Sequence, residues 1–247
     1  MHNILSFSWG GIITTNSKRA RALRLERNDK NYLCVKGAEM HLYTFDTAPN
    51  PKRLYHFMKF KGISITTTQI DLVRSENLGE SYLSVNKLGT VPALVLNDGT
   101  ILTEVIGICA YLESLHPNKP LLGKTALERA EVLSWDHYLL NAILLPIAEI
   151  FRNDHPAFEN RALPGPYAVA QLPELVERGE NRLAATWPII ESRLRTKKFI
   201  ASNNFTLADI DLLVCLDFMQ WALKKTTSKK FSNILEWEKR IIGILEI

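Results

Sequence analysis

Cysteine is scarce in this sequence. Its 247 residues include three, Cys34, Cys109 and Cys215, an odd number with no CxxC and no metal-ligand spacing. That excludes a disulfide scaffold and a structural zinc site, and it suits a reducing compartment such as the cytoplasm. Long apolar runs are also missing. The best stretch, 142–150, is broken by Pro146 and Glu149, whereas a membrane helix needs roughly 18 uninterrupted apolar residues. A surplus of one charge is missing from most of the chain. Residues 1–39 carry seven of the 30 Lys and Arg and three of the 26 Asp and Glu, which leaves 23 of each in 40–247. The net charge of +4 therefore belongs to the N-terminal arm, and the body lacks the electrostatic footprint of a nucleic-acid binder.

What is present is a core-forming composition, 46% hydrophobic and 23% charged, too apolar for a disordered chain. Residues 1–39 lack a clean apolar signal-peptide core, and Glu26 and Asp29 interrupt their Arg-rich pattern. They read as a poorly ordered basic extension rather than a targeting leader or a functional arm.

From Met40 the pattern becomes regular. Residues 41–45 alternate and are rich in aromatics, as in a short strand. Asn50 and Pro51 suit the N-cap and first position of a helix ending near Gly62. The β-branched stretch 63–72 predicts a second strand, and 81–85 a short helix. Residues 93–96 and 100–102 flank Asn97-Asp98-Gly99, a strong hairpin signal. A helix follows over 105–116, with Val105, Ile108, Cys109, Leu112 and Leu115 on one face. Beyond the proline-containing segment 117–122 only helical periods appear: 127–151 with a break at Pro146, 172–194, 207–223, and a last one from 233. The expected organisation is a domain over 40–116, a linker over 117–122 and an all-helical domain over 123–247.

This order resembles the glutathione transferase family, and four motifs carry the likeness. Gly89-Thr90-Val91-Pro92-Ala93-Leu94 is similar to the family's G-x-V-P-x-L, whose proline is cis. Residues Thr103-Glu104-Val105-Ile106-Gly107-Ile108-Cys109-Ala110-Tyr111-Leu112-Glu113 resemble its T-E-S-x-A-I-x-x-Y-L-E. Thr206-Leu207-Ala208-Asp209 looks like the capping box that opens the buried helix of the second domain. Ala48-Pro49-Asn50-Pro51-Lys52-Arg53, with Phe151-Arg152-Asn153 and the segment 160–166, is similar to a bacterial and fungal branch. The resemblance implies a thioredoxin-like α/β N-terminal domain followed by an all-α C-terminal domain. It also implies a homodimeric, cytoplasmic detoxification enzyme with glutathione as co-substrate, no other cofactor and no metal.

Site expectations follow from the same likeness. Pro49, Thr90, Val91, Pro92, Glu104 and Val105 fall at glutathione-binding positions. A sheet-edge backbone at Val91 can pair with a peptide, and the free N–H groups opening the 105–116 helix attract a carboxylate. Val105 stands where the family usually has Ser, so one hydroxyl bond, about 1.5–3 kcal/mol to a charged group, is missing. The thiolate-stabilising group should lie in the loop Phe45-Asp46-Thr47-Ala48-Pro49-Asn50, which holds no Cys, Ser or Tyr. Thr47 and Asn50 are the candidates, beside the helix N–H groups themselves; capping is the competing role for both. Trp135, Tyr138, Asn141 and Phe151 are the candidate pocket for a small apolar electrophile. Other readings are a related glutathione-dependent dehalogenase, isomerase or peroxidase, or a transferase-fold protein used only for binding.

Overall fold

The computed structural model describes residues 39–247, so the expectations for 1–38 lie outside the described residues. Strand β1 (His41–Thr44) runs through helix α1 (Pro49–Lys61) to a parallel strand β2 (Thr66–Gln69). After a short helix α2 (Glu80–Leu83) come β3 (Ala93–Val95) and β4 (Ile101–Leu102), both antiparallel to their neighbours. The sheet order is β2-β1-β3-β4. The β3–β4 turn closes as the Asn-Asp-Gly signal predicts: Gly99 sits at φ 85°, and Leu96 N–H bonds Thr100 O at 2.8 Å.

Helix α1 starts two residues earlier than the Asn-Pro pair suggested. Ala48, extended at φ −78° and ψ 147°, is its N-cap, and Pro49 rather than Pro51 takes the first turn. Prolines at the first and third helical positions, Pro49 and Pro51, both fit that turn, where no N–H is required. Asn50 is therefore inside the helix, and its side chain makes no cap.

Helix α3 (Val105–Leu115) is followed by a segment that is tied down rather than free. Lys61 at the end of α1 bonds Glu113 of α3 at 2.6 Å and Asn118 O at 2.9 Å. Glu113 in turn accepts from the N–H groups of Leu121 and Leu122 at 2.8 and 2.9 Å.

The helical part comprises α4 (Ala126–Leu139), α5 (Leu145–Asp154), α6 (Pro173–Thr196), α7 (Leu207–Leu223) and α8 (Ser232–Leu245). A π turn, Leu140–Leu144, joins α4 to α5 just ahead of Pro146. Pro146 has no N–H for the carbonyl four residues back, so Ala142 O accepts instead from Thr186 Oγ1 at 3.3 Å on α6. Arg182 takes the neighbouring Asn141 carbonyl. The predicted break is thus a local unwinding satisfied by side chains of α6. Helix α7 runs through the middle, buried almost all round from Leu207 to Leu216. Asp209 holds its start: its carboxylate accepts from Thr206 N–H, Thr206 Oγ1, Ile200 N–H and Trp237 Nε1, at 2.9 to 3.1 Å. No helix among the described residues is long and apolar enough to cross a membrane.

Candidate active site

The loop between β1 and α1 is shaped by its own backbone. Ala48 N–H bonds Phe45 O at 2.9 Å, a tight turn that leaves Thr47 exposed at its tip. Asp46 is occupied structurally: it accepts from Thr44 Oγ1 at 3.4 Å, and its N–H donates to Gln69 at 3.2 Å. A cleft of about 250 Å³ opens here, lined by Asp46, Thr47, Pro49 and Lys52 on one side. Val214, Asp217, Phe218 and Trp221, from the C-terminal half of α7, form the other. Lys52 bonds Asp217 across it at 2.7 Å. A broader cavity of about 580 Å³ adjoins it, sharing Lys52, Asp217 and Trp221 and adding Gln220, Lys224 and Thr226.

The Val91-Pro92 segment beside β3 has the expected backbone. Val91-Pro92 is cis, and Val91 N–H and C=O have no partner among the described residues. The residues before it are clamped from the α2 side. Asn77 Nδ2 bonds Gly89 O at 2.7 Å, while Tyr82 Oη and Asn86 Nδ2 bond Thr90 O at 2.5 and 2.8 Å. Glu104 is the extended N-cap of α3 and makes no side-chain cap, which leaves the first N–H groups of that helix free for an anion. Val105 is buried and contributes packing.

Asn50 lies one residue past Pro49, and Arg53 Nη1 donates to its Oδ1 at 3.1 Å. The same guanidinium, 5% exposed, donates through Nε to Asp211 of α7 at 2.7 Å and through Nη2 to Asp136 of α4. Burial opposes the charge on Arg53, but the two carboxylates more than restore it. Burial, with Asp136 as a like charge nearby, pushes the Asp211 carboxyl up, and its Oδ2 has no partner.

The expected pocket residues divide. Phe151 stands against Trp221 at 5.2 Å and Phe218 at 6.2 Å between ring centres, behind the cleft wall. Trp135 packs edge-on against Tyr138 at 5.4 Å and lies under Arg193 of α6. Asn141 bonds back to His137 O at 2.8 Å. None of the four, Trp135, Tyr138, Asn141 and Phe151, lines either cavity. Cys109 and Cys215 are buried, and burial pushes both thiols up, so neither is a poised nucleophile.

Comparison with known proteins decides the family. The glutathione S-transferase N-terminal domain family matches residues 47–115, and the corresponding C-terminal domain family matches 142–244. Glutathione S-transferase GstA of Escherichia coli is 31% identical over 168 residues, covering 67% of this chain and 74% of that protein. The chain belongs to the glutathione S-transferase family. Glutathione S-transferase 2 of Saccharomyces cerevisiae is 26% identical over 222 residues, 87% of this chain and 92% of that one. The crystal structure of Gtt2 from the same yeast shares the fold, with a TM-score of 0.74 at 24% identity over 82% of this chain and 95% of that one. The expected α/β thioredoxin-like half and all-helical half are both present, and the protein is a transferase of a glutathione-using family.

Two parts of this transferase's candidate site were not anticipated from sequence: the α7 wall and the partners of Arg53. Asp217, Phe218 and Trp221 end a helix that reads as core throughout, and their exposure comes from its last turns emerging beside α1. Arg53 and its two carboxylates are far apart in sequence, and no local pattern links them.

Proposed function

We propose that this transferase conjugates the thiolate of glutathione to small apolar electrophiles, acting as a homodimer in the cytoplasm. The observation that carries this is the cleft at the start of α1, where Val214, Phe218 and Trp221 of α7, beside the Lys52–Asp217 pair, face Thr47 and Pro49. A thiol ionises near pKa ~8.5 in water, so a site working at neutral pH must favour the thiolate. The N-terminus of α1 supplies positive partial charge, and the Thr47 hydroxyl and the Asn50 amide supply donors. The γ-glutamyl carboxylate would take the uncapped N–H groups of Glu104 and Val105 at α3, and the cysteinyl backbone would pair with Val91 beside cis-Pro92 and Thr90. The sulfur lone pair then forms the new C–S bond as the leaving group departs with the bonding pair of its own carbon. Catalysis is mainly positioning and thiolate stabilisation.

Retention on immobilised glutathione, followed by an aryl-halide conjugation assay, tests this. Retention with turnover is the expected result. Retention without turnover would favour a binding protein, a reading that Val105 in place of the usual Ser makes worth testing, or a different glutathione-dependent reaction. Failure to bind glutathione at all would overturn the proposal.

A further inference from the structure

We infer that Arg53 is a positioning residue for the thiolate site: it fixes the Asn50 carboxamide so that the NH₂ group, not the oxygen, faces outward beside the cleft. This deepens the glutathione reading and rests on it. A guanidinium carries donors only, so a carboxamide bonded to it must turn its oxygen inward. Asn50 Oδ1 sits 3.1 Å from Arg53 Nη1, and Asn50 Nδ2 has no partner among the described residues. The free amide donors therefore stand in the first turn of α1, one residue past Pro49 of the cleft wall, although Asn50 itself does not line the cleft. Arg53 itself cannot swing away. Asp211 of α7 and Asp136 of α4 hold the other two nitrogens of its fork, and the side chain is buried. Two carboxylates of the helical part thus set the aim of a donor in the thioredoxin-like part. Without Arg53 the carboxamide is free to rotate and present its oxygen, an acceptor that repels a thiolate.

The test reads the pKa of the bound glutathione thiol, from thiolate absorbance against pH, in the full-length protein. Arg53→Lys keeps the charge between the aspartates but replaces a three-way fork by one ammonium. The thiol pKa is expected to rise by about one unit, as in Asn50→Ala. A second variant combines Arg53→Met with Asp136→Asn and Asp211→Asn. It removes the buried charges together, so that no uncompensated charge is left in the core, and the same rise is expected. Adding Asn50→Ala to either variant separates positioning from through-space charge. Positioning predicts no further rise, whereas a Coulombic role predicts additive shifts. If Asn50→Ala raises the thiol pKa while the Arg53 variants leave it unchanged, or if the shifts add, the inference is overturned and the glutathione reading stands. A wild-type protein that does not depress the thiol pKa overturns that reading, and this inference with it.

Discussion

Asp209 shows how one buried carboxylate can be structural without being chemical. It is fully buried, and burial lifts its carboxyl to about 6 against the pull of four donors. Removing it leaves all four donors without their partner in the core. Asp209→Ala is expected to cost about 3 kcal/mol or more in urea unfolding, with glutathione affinity per folded molecule unchanged. A sharp loss of affinity at constant stability would contradict the structural role. His56 behaves oppositely. Both its ring nitrogens are buried without partners, and burial, helped by Lys52 and Lys59 and opposed by Asp217, lowers its pKa to about 4. The unfolded chain takes up a proton near pH 6.5 and the folded one only near 4, so stability is lost as pH falls through that window. His56→Leu should therefore raise the urea midpoint more at pH 5 than at pH 8; an equal gain at both would contradict the neutral buried ring. At the thiolate loop, Thr47→Val separates hydroxyl from helix. A rise of one to two units in the bound thiol's pKa assigns the bond to Thr47, and a shift well under one unit leaves it to the Asn50 amide and the helix terminus.

At the scale of elements, the α5–α6 contact depends on a missing side chain. A Cβ on Gly179 would meet Ile150 Cγ1 at 2.7 Å and Pro146 O at 3.0 Å. In an open helix Gly→Ala gains up to about 1 kcal/mol. Here Gly179→Ala is expected to lower the urea midpoint, and a raised midpoint would show that the helices separate freely. The elements themselves were largely legible in sequence. Helix α7 begins after Thr206, as its capping box demands, and the Asn-Asp-Gly hairpin closes as its composition demands. What local pattern could not resolve was the start of α1, where Pro49 and Pro51 compete for the same turn. Nor could it show that the Pro146 break is a π turn, since that depends on Arg182 and Thr186 from a distant helix. The backbone of the candidate site was legible on its thioredoxin-like side, where short motifs shape it. The site was opaque on the α7 side, because exposure of Phe218 and Trp221 is a property of packing, not of periodicity.

On the scale of the whole molecule, the described residues, 39–247, fall within one compact unit. Its α/β and helical parts are joined by buried charge as well as apolar contact. Arg53 links α1 to α4 and α7, and Lys61, its side chain fully buried, links α1 to α3 and the segment beyond. Deleting residues 1–39 should therefore leave the melting temperature and glutathione binding unchanged, and a large drop in either would show that the arm completes the fold or the site. The central claim is that this fold binds glutathione as its thiolate. The most direct measurement is the ultraviolet titration of glutathione bound to the wild-type protein. A thiol titrating at least one unit below the ~8.5 expected in water is the predicted result; a thiol titrating as it does free in solution would contradict the account.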